Sequence, residues 1–414
     1  MQTLTAILIG AGLRGARAYA PYALQHPQEL RFVAVAEPDV QKRTAFAKAH
    51  GIAEDLQFAT WEDLLNKPKL ADSALVCTQD NMHFAPVMQA LQKGYHVLCE
   101  KPMSNSKAEI VAMGECAKEH NRILSICHVL RYSPFFCKIK ELLQNNAIGD
   151  IINIDHRENV GYWHHAHSFV RGNWRNAAQS SPMILQKCCH DMDILLWLVD
   201  SACKQIFSMG SLRHFTKENA PQGAPMYCMD ACPHADNCPY YAPHFYLQHP
   251  RAVKDDLVYA VCETSDVESV LKALQKGPYG RCVYHCDNTV VDHQVVQMEF
   301  ENGVHANLTM TAFTKNCSRD IHIFGTKGEL FGNMERGSIT IHDFTDGSTQ
   351  NIQLQTSDTG HMGSDERLVQ DFVQSVLRKQ AGRSSAERSV ESHLMAFAAE
   401  ESRISGKAVQ LKTP

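Results

Sequence analysis

The sequence predicts an α/β protein: a doubly wound parallel sheet first, then an α+β unit carrying a large, mostly antiparallel open sheet. Three observations carry this. Strand-like apolar runs alternate with helical stretches over the first third. A glycine loop, Gly10-Ala11-Gly12-Leu13-Arg14-Gly15, closes the first of those runs. Consecutive strand-like runs joined by short turns fill the later part.

Residues 6–9 read as a buried strand, the glycine loop as a tight turn, and residues 16–24 as the helix behind it. Gly10 permits the turn, Gly12 lets backbone amides approach a pyrophosphate, and Gly15 lets helix and strand approach closely. The next strand, 32–36, ends in Glu37-Pro38-Asp39. That is roughly 20 residues downstream of the loop, where an acid binds the adenosine ribose hydroxyls. Residues 73–78 form a further strand, 84–93 a helix stopped by Gly94, and 95–99 a strand closed by Glu100-Lys101-Pro102. A helix over 107–120 and a strand over 123–127 complete this part. The strand ends bring Gly10, Glu37, Thr78 and Glu100 to one edge, where open parallel sheets collect ligands. The first domain is therefore a Rossmann domain over residues 1–125.

The second domain spans 126–414. Strands are expected at 290–300, 304–313, 320–324, 329–332 and 338–344, with hairpin-like turns at Glu301-Asn302-Gly303 and Gly325-Thr326-Lys327-Gly328. Helices are expected at 366–379 and 389–403. A loop-rich, cysteine-bearing insertion lies at about 213–287.

With 414 residues the chain can bury a large core, and its net charge of −5 without a basic run argues against nucleic acid or an anionic membrane as partner. No apolar stretch of about 20 residues is present. The N-terminus lacks a basic leading segment, so a cytoplasmic location is expected. The 15 cysteines then read as thiols, packing residues or metal ligands, not as a disulfide framework.

Lys101 follows a strand and precedes a proline, so its backbone is extended and stiff. Its ammonium can hydrogen-bond a substrate hydroxyl and stabilise the alkoxide that develops as hydride leaves. Glu100 either orients that lysine or touches the nicotinamide ribose. Glu37 would repel a 2′-phosphate, which favours NAD over NADP, with Arg14 and Arg43 as the nearby cations that would oppose this.

The glycine loop, Glu37, the 78–83 loop and Glu100-Lys101-Pro102 resemble the Gfo/Idh/MocA oxidoreductases. The resemblance extends through His128-Val129-Leu130-Arg131-Tyr132 and His190-Asp191-Met192-Asp193 into the sheet domain. It implies cofactor contacts at Leu13, Arg14, Thr78, Asn81, His83, Glu100, Lys101 and His128. It also implies oxidation or reduction of a secondary hydroxyl on a sugar, polyol or glycoside, and a homo-oligomer, dimer or tetramer, formed through the open face of the second sheet. In that family an aspartate stands four residues before a histidine. Here the histidine is His190 and the earlier position is Gln186, which accepts no proton usefully near neutral pH. His190 is read as general base or proton relay, and Lys187 as a second cation taking over the polar role of the absent carboxylate.

The stretch 161–175 is dense in aromatic, histidine and arginine side chains that suit a polyhydroxylated ligand, His167, Arg171, Trp174 and Arg175 among them. Its histidine spacing suits neither a helical metal pair nor a zinc hairpin. Arg131 suits a substrate carboxylate or sulfonate and equally an ordinary salt bridge; Tyr132 stands beside it. Cys228, Cys232 and Cys238 suggest a structural zinc site with Cys282 or Cys286 as fourth ligand, His285 being poorer; unliganded buried thiols are the alternative, an iron-sulfur cluster a more distant one.

The expected function is therefore an NAD-dependent dehydrogenase of a cyclic polyol, sugar or glycoside. One rival is an NAD-dependent glycosidase that oxidises transiently, eliminates and returns the hydride. A rival of another class is a dinucleotide-binding sensor without catalysis.

Overall fold

The computed structural model describes residues 3–254, 257–262, 264–355 and 363–411. Six strands, β1 (Leu4–Ile9), β2 (Leu30–Ala36), β3 (Gln57–Phe58), β4 (Ser73–Val76), β5 (His96–Cys99) and β6 (Leu124–Ile126), form the first sheet. Its order is β3-β2-β1-β4-β5-β6 and every pairing is parallel. The order reverses between β1 and β4, so a crevice opens at their carboxyl ends, where Gly10 and Cys77 follow.

These strands are apolar on both faces because both faces are covered. On one, Ile7, Val76 and Val97 meet residues of α1 (Phe84–Gln92) and α2 (Lys107–Glu119), among them Leu91 and Met113. On the other, Leu4, Leu8 and Leu98 meet Leu368, Phe372 and Val373, which arrive from near the far end of the chain.

The second sheet has nine strands: β7 (Ile151–Asn159), β8 (Cys203–Ser211), β9 (His293–Phe300), β10 (His305–Thr311), β11 (Ser318–Gly325), β12 (Gly328–Asn333), β13 (Ser338–Asp343), β14 (Thr349–Gln353) and β15 (Val409–Gln410). The order is β14-β13-β12-β11-β7-β10-β9-β8-β15, antiparallel except for β10 beside β7. Its inner face is filled by α3 (Cys189–Val199), with Leu195 and Leu196 set among Ile154, Val296 and Leu308.

Two helices close the chain, α4 (Ser364–Arg378) and α5 (Ala386–Ser405). Along α5, His393 Nε2 accepts from Met103 N–H at 3.0 Å and Ser402 Oγ accepts from Ser208 N–H at 2.9 Å, so one helix is fastened to both parts of the fold.

Between β8 and β9 the loop-rich stretch contains helices at Ala242–Gln248 and Val267–Lys276. Two small apolar clusters hold it, one around Phe245, Tyr246 and Leu274 and one around Phe215, Tyr240 and Val283. No helix among the described residues is long and apolar enough to cross a membrane.

Candidate active site

At the end of β1 the chain turns at Gly10, whose φ of +93° suits glycine, and a Cβ there would lie 2.6 Å from the Cys77 carbonyl oxygen. A Cβ on Gly15 would strike the Gly10 carbonyl, whereas one on Gly12 would meet nothing within 4 Å. Two glycines thus allow close approach within the protein, and the third leaves open space before the backbone amides. That is the arrangement a pyrophosphate requires, so the loop fits a dinucleotide. The turn behind it is wider than an ordinary helix: Ala20 N–H reaches the Gly15 carbonyl at 3.0 Å, and regular α-helix resumes only at Pro21–Gln25.

Glu37 lies at the end of β2, where its Oε2 accepts the Ala11 N–H at 2.7 Å and its Oε1 the Asp39 N–H at 3.1 Å. The acid that would meet the ribose thus also steadies the glycine turn. Arg43 turns back onto the Glu37 and Pro38 carbonyls. Arg14 is held by Glu100 Oε1 at 2.6 Å and Asp365 Oδ1 at 2.7 Å and also donates to the Tyr19 hydroxyl. Burial alone would raise the Glu100 pKa, yet Arg14 and Lys101 leave it below the ordinary carboxylate value. Thr78 Oγ1 donates to the Met82 carbonyl at 3.1 Å, and His83 stands between the carbonyls of Pro102 at 2.8 Å and Thr78 at 3.1 Å. Leu13 and Asn81 are exposed at the rim.

Lys101 follows β5, and its Nζ donates to the Gln186 carbonyl at 2.7 Å. That carbonyl ends a short helix, Met183–Gln186, and α3 begins three residues on with His190 in its first turn. Lys101 thus reaches the backbone beside Lys187, four residues before His190. His128, fully buried, has its ring centroid 5.7 Å from that of His190. Burial first, then Arg131 and Lys101, pushes its pKa well down and keeps it neutral.

Beneath these groups lies an ionic network that sequence reasoning missed. Arg319 on β11 bridges Asp191, at 2.7 and 3.2 Å, and Glu158 on β7, at 2.7 Å. His156 Nε2 stands 2.8 Å from Asp191 Oδ1, and Lys187 Nζ reaches Glu158 Oε1 at 3.4 Å. Although burial opposes ionisation of Asp191, Arg319 and His156 hold its pKa well below the usual range. His164 belongs to the 161–175 stretch expected to suit a polyhydroxylated ligand. Burial foremost, then Lys187 and to a lesser degree Lys101, pushes its pKa well down, so it stands in the field of both lysines.

The substrate candidates are held by internal partners, and Arg131 makes the ordinary salt bridge that was one of its two expected readings. Arg131 is 3% exposed and pairs bidentately with Asp193, at 2.6 and 2.7 Å. Tyr132 donates to Asp371 at 2.8 Å. His167 bonds the Tyr246 hydroxyl at 2.9 Å, and Arg171, 1% exposed, donates to the carbonyls of Arg281 and Tyr240 at 2.7 and 2.6 Å. Arg175 pairs with Asp287 at 2.8 Å, and Trp174 is set against the main core. Each satisfies an internal partner or fills a core, because a long polar side chain buried here must be bonded within the protein.

The zinc expectation also needs correction. Among the described residues no group of three or more His, Cys, Asp and Glu is gathered so as to hold a metal ion. Cys228 Sγ lies 3.5 Å from Arg171 Nη2, and the Cys286 thiol donates to the Cys282 carbonyl at 3.3 Å. Burial pushes the Cys282 thiol up to about 11 and raises Cys238 as well. Cys232, the remaining member of the expected set, is half-buried.

The family model for the NAD-binding Rossmann fold of the Gfo/Idh/MocA oxidoreductases matches residues 4–128, and that for the C-terminal alpha/beta domain of the same family matches residues 140–411. The chain belongs to the Gfo/Idh/MocA oxidoreductase family. Among its members, a Bacillus subtilis protein described as an oxidoreductase, YteT, is 24% identical over 316 residues, 73% of this chain and 72% of that protein. Inositol 2-dehydrogenase/D-chiro-inositol 3-dehydrogenase of Lactiplantibacillus plantarum is 27% identical over 161 residues, which is 38% of this chain and 42% of that one. Levoglucosan dehydrogenase in complex with NADH and levoglucosan has the same fold, with a TM-score of 0.73 at 18% identity and full coverage of both chains. Aldose-aldose oxidoreductase of Caulobacter crescentus gives 0.68 at 16% identity, covering 99% of this chain and 100% of that one.

Proposed function

We propose that this Gfo/Idh/MocA oxidoreductase is an NAD-dependent dehydrogenase that oxidises a secondary hydroxyl of a cyclic polyol, sugar or glycoside. The observation that carries the reading is the position of Lys101: its neighbour Glu100 holds Arg14 of the glycine loop, and its ammonium is fixed on the Gln186 carbonyl 2.7 Å away, four residues before His190. When bound, the nicotinamide supplies the hydride acceptor. Lys101 donates to the substrate oxygen and stabilises its negative charge as the C–H bond breaks. His190 takes the hydroxyl proton, and His128 and Asp193 lie behind it. The inositol and levoglucosan dehydrogenases among the similar proteins support the substrate class.

Two further features fit. No disulfide is formed among the described residues, which supports a reducing, cytoplasmic setting. The outer face of the second sheet exposes Ile152, Val295 and Phe331, which supports a homo-oligomer formed there.

NAD is preferred over NADP because Glu37 occupies the ribose position while Arg14 and Arg43 are committed to other partners. A panel of cyclic polyols and sugars, assayed for net reduction of each cofactor, tests the whole reading. Stoichiometric NADH is expected, with weaker use of NADP, and Glu37→Ala should narrow the gap between cofactors. Product release from a glycoside with the cofactor returned to its oxidised form would instead identify a glycosidase. Tight NAD binding without reaction on any member of the panel would identify a sensor.

A further inference from the structure

The charges around Lys101 are layered. Several buried carboxylates lie in this neighbourhood: Asp80 accepts from Ser181 Oγ at 3.2 Å, Asp365 shares Arg14, and four more are each tied to a guanidinium. Glu100, its side chain 8% exposed, is on Arg14, and Asp193, at 1%, is on Arg131. Asp191, at 0%, and Glu158, at 1%, share Arg319. Lys187 sits over this layer with its side chain 19% exposed, and its Nζ is 3.4 Å from Glu158, against 2.7 Å for Arg319 on the same carboxylate. Lys187 and Arg319 balance Glu158 and Asp191 as a group, and Lys187 is the most exposed of the four side chains.

Lys187 is also the residue after Gln186, whose carbonyl holds Lys101. The ammonium groups of Lys101 and Lys187 both act on His164, which places them in one neighbourhood. His164 stands in their field as a neutral imidazole able to donate or accept a hydrogen bond. Gln186, at the position where an aspartate would bring negative charge, is a buried neutral amide.

We infer that the substrate carries a carboxylate seated on the ammonium of Lys187 while the hydroxyl to be oxidised lies at Lys101, which makes it a sugar acid and not a neutral sugar. The inference rests on the dehydrogenase reading and deepens it. An anion at this place completes the layering: the inner carboxylates keep their guanidinium partners, and the outer ammonium gains a charge-assisted hydrogen bond in a partly desolvated site. An ester or hydroxymethyl group at the same position leaves that ammonium with Glu158 alone.

The test compares D-glucuronate and D-galacturonate with their methyl esters and with D-glucose and D-galactose. Two quantities are read: kcat/KM from NADH formation by the wild-type enzyme, and calorimetric binding to the NADH-loaded enzyme. At least one acid is expected to exceed its own ester by at least about tenfold in both, the scale of one charge-assisted hydrogen bond. The acid-to-ester ratio should fall toward one in Lys187→Gln.

Equal or better performance by the esters and neutral sugars would overturn the inference and leave the dehydrogenase reading standing. Acid-selective binding without hydride transfer would sustain the carboxylate site and overturn the dehydrogenase reading. Because the ester comparison is made on the wild-type enzyme, the outcome holds even if Lys187→Gln folds poorly.

Discussion

Lys101→Met is expected to slow hydride transfer by about 10²–10³-fold while NAD affinity changes by no more than a few fold. The magnitude is that of removing one preorganised donor from a developing oxyanion. The selectivity follows from when the contact strengthens: the ammonium meets a neutral hydroxyl before reaction and an alkoxide during it, so its loss falls on the chemical step and not on cofactor binding. Methionine preserves the length and apolar stem of the lysine and leaves the backbone contact between Lys101 N–H and Glu100 Oε2, 2.8 Å, in place. Single-turnover NADH formation and calorimetric NAD binding measure the two effects separately. A variant that keeps a tenth or more of the wild-type rate would remove Lys101 from the chemistry.

Arg131→Met is expected to destabilise the fold by about 3–5 kcal/mol, the usual cost of leaving one partner of a buried ion pair alone. Asp193 would then stay buried without the guanidinium that bonds both its oxygens at 2.6 and 2.7 Å. Burial already raises the Asp193 pKa above its usual value despite Arg131, so the variant should shed the charge by taking up a proton. The double variant Arg131→Met, Asp193→Leu should recover much of the loss, because replacing both charges by apolar groups removes the desolvation penalty together with the attraction. Urea midpoints of the three proteins decide this. Near-wild-type stability of the single variant, combined with lost substrate affinity, would return Arg131 to the binding site.

The first sheet was legible in the sequence because parallel strands covered on both faces are continuous apolar runs, and because glycine and proline punctuate their ends. The Gly10 turn, Glu37 and Glu100-Lys101-Pro102 all fall at such ends. β7 was not legible for the opposite reason. Its inward positions, Ile154, His156 and Glu158, carry two polar side chains, so the alternation that marks a half-buried strand is broken by the ionic network itself. For the same reason the partners of Lys187 stayed hidden: Glu158 and Arg319 are far apart in the chain and meet only through the register of β7 with β11. Arg131 and Arg171 show the converse limit. Residue type signals an anion partner but not whether that partner is a ligand or an internal group such as Asp193.

The cover supplied by α4 has a bearing on how the protein is made. Leu4, Leu8 and Leu98 leave the ribosome early, yet the residues that shield them, Leu368, Phe372 and Val373, are among the last to emerge. The order of synthesis is therefore not the order of assembly: Tyr19, Tyr22 and Phe46 join this face early, and its last cover arrives only when translation is nearly done. A fragment ending at residue 128, though it spans the whole NAD-binding match, should bind an apolar dye and aggregate on storage, whereas the full chain should not. A fragment that stayed monomeric and dye-free would show that the first sheet can seal itself without the closing helices.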